Sequence, residues 1–109
     1  MLYVICYMLY YLIAGHFLCD FMFQSDTIAK YKNFNVEFPG VPWYYWMLSH
    51  CVIQGLSVAI VTNSIILGIA ETIIHFAIDC AKCANYTNIH IDQALHIICR
   101  ITWYILCLN

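Results

Sequence analysis

Ionisable residues are set four apart inside segments that are otherwise apolar, and this pattern constrains the fold more than any other. His16 and Asp20, then His75 and Asp79, repeat one His-x-x-x-Asp spacing, and Asp92-Gln93-x-x-His96 gives its reverse. Residues four apart lie one above the other on a helix, so each pair aims an imidazole and a carboxylate in one direction. The surrounding residues are those of a lipid-facing helix. A charge inside a membrane span is costly and marks a group facing the interior of a bundle.

Composition sets the solvent. Only 9% of the 109 residues are Asp, Glu, Lys or Arg, and 64% are hydrophobic. A soluble domain carries roughly a quarter charged residues, so this chain has too little charge to coat a water-facing surface. With four basic residues and a net charge of −2, no patch for nucleic acid can be assembled. The seven cysteines lie mostly in apolar runs and read as small apolar residues rather than a disulfide framework.

Four spans follow, at about residues 2–23, 45–61, 65–83 and 89–108. Their lengths fall near the roughly 17–25 residues that cross a bilayer. The expected fold is a single all-α domain, a four-helix transmembrane bundle covering 1–109. The first span has neither the basic start nor the cleavage site of a signal peptide. Where a lipoprotein would carry its lipidated cysteine after Leu12-Ile13-Ala14-Gly15, His16 stands instead. The polar stretch from Ser25 to Pro42 reads as a loop, and Trp43-Tyr44-Tyr45-Trp46 as an interfacial anchor. Lys30, Lys32 and Lys82 fall on one side of such a bundle, and the opposite side has no basic residue. The positive-inside rule places that side in the cytoplasm of a bacterial inner membrane, with both termini outside.

This topology brings polar groups to common depths. Gln24, Asp79 and Asp92 lie outermost, Asp20, His75 and His96 one turn deeper, and His16, Glu71 and Arg100 a turn deeper again. His50 and Gln54 enter from the second span. The expected site is therefore shared by four helices in the cytoplasmic half. Candidate ligands for a divalent metal ion (Zn, Mn or Fe) are His16, Asp20, His50, His75, Asp79, Asp92 and His96, with His75 and His96 the best matched in depth. A metal-free network of His–Asp hydrogen bonds is the plain alternative. Glu71 and Arg100 read as a charge pair between the third and fourth spans. Gln24, Gln54 and Gln93 read as helix–helix hydrogen-bonding groups or orienters of ligands. Cys80-x-x-Cys83 is a weak metal or redox signal, and His90 an interfacial residue.

His16-Phe-Leu-Cys-Asp20-Phe21-x-x-Gln24-Ser-Asp26 with Ala29 and Lys30, then His50, His75-Phe-x-Ile-Asp79-x-x-Lys82 and Asp92-Gln93-x-x-His96, resembles one small bacterial and bacteriophage membrane family, domain of unknown function 3307. The resemblance covers essentially the whole chain and implies a multi-span membrane protein without implying an activity. A looser likeness, of spacing alone, links the His/Asp pairs to membrane-bound metal-dependent hydrolases.

Two functions from different classes fit these residues. One is an intramembrane metal-dependent hydrolase acting on a lipid or lipid-linked phosphate, with Asp20 or Asp92 taking a proton from water. The other is a non-enzymatic membrane module that handles protons or ions, or that presents its bundle to a partner protein or a second copy.

Overall fold

The computed structural model describes residues 2–109, all-α in architecture. Helix α1 (Leu2–Phe17) runs without a break into a π-helical turn at Leu18–Met22. A short helix α2 (Asp26–Tyr31) follows, then three long helices, α3 (Trp43–Thr62), α4 (Ile65–Cys83) and α5 (Ile89–Leu108). Among the described residues, three stretches, Tyr3–Met22, Trp43–Thr62 and Ile89–Leu108, are long and apolar enough to cross a membrane. Helix α4 matches them in length at 19 residues but carries Glu71, Asp79 and Lys82.

Local chemistry sets the boundaries. Asn63 ends α3 in the left-handed conformation (φ 54°), which asparagine tolerates better than most residues. Ser64 then caps α4 by accepting from Leu67 N–H, closing a tight α3–α4 hairpin. Asn88 caps α5 in the same way through Ile91 N–H, at 2.9 Å.

The α3–α4 contact is the most extensive in the bundle, and glycine makes it possible. A Cβ at Gly55 would lie 2.5 Å from Gly68 O, and one at Gly68 would lie 2.8 Å from Gly55 O. Small residues on both sides let two backbones approach where lipid offers no hydrophobic drive for helix association. Helix α1 packs on α5 and α3, and α4 packs on α5. Leu12, Val58 and Trp103 fill the end of the bundle remote from the lysines. Met47, Cys51 and Cys83 fill the opposite end, with Cys80 against them. Among the described residues the cysteines are free; Cys19, Cys51 and Cys83 are buried, and Cys6 is exposed.

Two features depart from the expectation. Ser25 to Pro42 is more than a polar loop, because Ser25 accepts from Ile28 N–H (3.2 Å) and starts α2. The segment then folds over the lysine-bearing end as a strap. Trp43 and Trp46, expected as membrane-interface anchors, also hold this strap: Phe34 packs edge-on to Trp43, and Phe38 to Trp46. The first span is likewise not a uniform α-helix, since its π turn carries the buried Cys19 and Asp20.

Candidate metal centre

Each long helix turns its polar stripe inward. His16, Asp20, His50, His75, Asp79, Asp92 and His96 are all buried, and the most exposed, Asp20, shows only 7% of its surface. The outward faces carry residues such as Val52, Leu56, Ile69, Ile73, Ile98 and Ile105. The structure thus brings together all seven residues singled out from sequence.

The centre of the cluster is a triangle of donor atoms. His75 Nε2 lies 3.0 Å from His50 Nε2 and 3.5 Å from Asp20 Oδ1, and His50 Nε2 lies 3.0 Å from Asp20 Oδ1. Asp79 Oδ2 stands beside it, 3.4 Å from His50 Nε2 and 3.7 Å from His75 Nε2. Ligands bound tetrahedrally at zinc distances are spaced by about 3.3 Å. The observed edges are centred on that value.

The atoms behind the triangle fix its chemistry. Glu71 Oε1 lies 3.3 Å from His75 Nδ1. A carboxylate only accepts, so Nδ1 holds the ring proton and Nε2 presents its lone pair to the centre. This carboxylate–histidine pairing is the usual support of a metal-bound imidazole. Asp20 is fixed through both oxygens: Gln54 Nε2 donates to Oδ1 and Gln93 Nε2 to Oδ2, each at 2.8 Å. Gln93 Oε1 in turn accepts from His16 Nε2 at 2.8 Å. Gln24 Nε2 donates to the backbone carbonyl of Asp20 (2.9 Å), so Gln54 and Gln93 hold the carboxylate while Gln24 holds the main chain of the same residue.

His16 and His96 stand differently from His50 and His75. His96 Nε2 donates to Asp79 Oδ1 at 3.0 Å, while its ring stacks on His75 with centroids 4.0 Å apart. The depth match of His75 and His96 thus becomes a stack, and the imidazole whose nitrogen meets His75 is His50. Two further donor sets remain within 4.8 Å, His16/His75/His96 and Asp20/Asp92/His96. Asp92 lies at the edge, with Lys82 Nζ 3.6 Å from its Oδ2. Its Oδ1 has no hydrogen-bond partner, nor have His16 Nδ1 and His96 Nδ1, although all three are buried. Orphaned polar atoms in a dry interior call for a ligand or ordered water.

Beneath the triangle lies the expected charge pair, with Arg100 Nη2 3.6 Å from Glu71 Oε1. Arg100 also donates to Leu12 O (3.2 Å), to Ser57 Oγ (2.9 Å) and to Gln54 Oε1. Trp103 Nε1 donates to the other oxygen of Glu71. Gln54 therefore links the arginine layer to Asp20.

Lys32 escaped the sequence reading. It is buried, and its Nζ lies 2.6 Å from Asp79 Oδ2. Lys30, which belongs to the quoted motif, is exposed and sits over the Tyr31 ring. His90 is exposed. An open groove lined by Phe34, Glu37, Pro39 and Trp43 lies on the strap and includes no member of the cluster.

Fold and site together define a helical bundle with membrane-length apolar helices and a buried His/Asp cluster able to hold a metal ion. The chain belongs to the family described as Protein of unknown function (DUF3307), which matches residues 8–109. No curated protein and no solved structure matches the chain.

Proposed function

We propose that this chain is an integral membrane protein of the bacterial inner membrane with all four long helices in the bilayer. Its bundle holds a divalent metal ion near the cytoplasmic leaflet, and the centre serves hydrolysis of a lipid or lipid-linked phosphate. The observation that carries the metal reading is the meeting of His50 Nε2 and His75 Nε2 at 3.0 Å beside Asp20 Oδ1. Asp20, His50 and His75 would hold the ion, with Asp79 adjacent and His16, Asp92 and His96 around them. A divalent ion held there supplies positive charge to a phosphoryl oxygen and lowers the pKa of a water.

The remaining residues have distinct parts. Asp92 Oδ1, which accepts no hydrogen bond and lies 3.5 Å from His96 Nε2, would accept the proton. Glu71 orients His75, and Gln54 and Gln93 hold Asp20. A lipid substrate is favoured by the surroundings of Asp20. Asp20, the most exposed candidate ligand, lies on the π turn between the lipid-facing Phe17 and Phe21 and beside the half-buried Gln93. The direct test is hydrolysis of a lipid phosphomonoester or lipid-linked diphosphate in mixed micelles. The expected result is metal-dependent phosphate release that falls about a hundredfold or more in Asp92→Asn. Release independent of both metal and Asp92 would refute this mechanism.

The same triangle supports a second reading. Without a metal, one proton on His50 Nε2 serves Asp20 Oδ1 and His75 Nε2 together, and the cluster closes as a structural or proton-holding network. Metal content separates the two.

Orientation follows from Lys30, Lys32 and Lys82, all at one end, and puts that end in the cytoplasm. Asn35→Cys and Asn63→Cys, each read against wild type with an impermeant maleimide on intact cells, test it. Labelling is expected at position 63, and labelling at 35 instead would reverse the topology.

A further inference from the structure

The strap over the lysine-bearing end is held in an unusual way. Of residues 25–42, Lys32 alone is buried, and it reaches the cluster as a cation. Its Nζ is 2.6 Å from Asp79 Oδ2, the oxygen that stands 3.4 Å from His50 Nε2 and 3.7 Å from His75 Nε2. The other moorings are independent of this charge. Asn35 Nδ2 donates to Cys83 O at 3.3 Å, and Phe34, Phe38 and Tyr31 rest on Trp43 and Trp46.

An ammonium group on a carboxylate beside two ligand atoms occupies ground that a divalent ion also claims. The two positive charges repel strongly where water is excluded. Binding a divalent ion on Asp79 Oδ2 would set that charge against the Lys32 ammonium on the same oxygen. Nothing else in the strap has to move, because the aromatic contacts and Asn35 keep it moored while one flexible side chain withdraws.

We propose that Lys32 is a built-in cation competing with the metal ion for Asp79, so that metal loading expels Lys32 and opens the lysine-bearing end of the site. This regulation rests on the metal reading above. It makes the metal-free protein a closed state with an internal counter-ion, and it gives the strap a function in admitting ligands to the centre.

The test pairs a footprint with a titration on the full chain in detergent, using Zn²⁺ alone as the probe. Acetylation of Lys32, read by mass spectrometry against the exposed Lys30, is expected to rise at least fivefold when zinc is added. Lys32→Met, which keeps the length of the side chain and removes its charge, is expected to bind zinc about tenfold more tightly than wild type. If wild type binds zinc while Lys32 stays protected and Lys32→Met binds no more tightly, the competition is overturned and the metal centre stands. If neither protein binds zinc, both are overturned. The footprint needs only the wild-type protein, so the competition stays falsifiable even if Lys32→Met fails to fold.

Discussion

Replacing His50 and His75 together by alanine is expected to abolish stoichiometric metal binding, the largest functional effect that any two substitutions in this chain should produce. These rings supply both nitrogens of the central triangle, and the Nε2 atoms of the other two buried imidazoles are already engaged. His96 Nε2 is directed to Asp79 and His16 Nε2 to Gln93. Each single substitution should weaken binding by one ligand's worth, and the pair should remove it. Metal content of the purified variants checks this. Cys80→Ser with Cys83→Ser should leave metal content unchanged, because those thiols pack among Met47 and Cys51 rather than in the cluster. Retention of one equivalent by the His50/His75 variant would move the site to His16 and His96.

Arg100→Ala is expected to be the most destabilising single substitution. Arg100 is fully buried and bonded to α1 through Leu12 O, to α3 through Ser57 and Gln54, and paired with Glu71 on α4. Removing it strands Glu71 as a buried charge and leaves carbonyl and hydroxyl groups of two helices, α1 and α3, without their donor. Breaking a buried pair from one side costs about 3–5 kcal/mol, a large fraction of the stability of a small bundle. Thermal unfolding in detergent should show it. Glu71→Gln in the same chain removes the stranded charge and should recover part of the loss. No recovery would mean that the α1 and α3 contacts, rather than the ion pair, carry the stability.

Much of this arrangement was legible in the sequence because helices obey a period. Four-residue spacing put His16 over Asp20 and His75 over Asp79, and antiparallel neighbours then had to bring Glu71 to Arg100. All seven candidate ligands and that charge pair came from periodicity and from the cost of charge in lipid. The partner of each side chain was less visible. Periodicity gives depth and face but not ring orientation: His75 and His96 stack, and the imidazole nitrogen that meets His75 Nε2 at 3.0 Å is that of His50. Lys32 was hidden for a different reason. It lies in an aperiodic segment, and its bond to Asp79 spans 47 residues of chain, which no local pattern records. The π turn at Leu18–Met22 leaves the apolar run unchanged and has no compositional signature. The short helix α2 did leave a trace, since Ser25 before Asp26 is an N-cap pattern at the head of the strap.

Elemental analysis of the wild-type protein tests the central claim most directly. The protein should be purified in detergent without chelator, resupplied separately with Zn, Mn or Fe, and freed of unbound ion. One tightly held divalent ion per chain, lost on replacing His50 and His75, is the expected result. Absence of bound metal under all three conditions would contradict the account and leave the cluster as a hydrogen-bonded, proton-holding lock within the bundle.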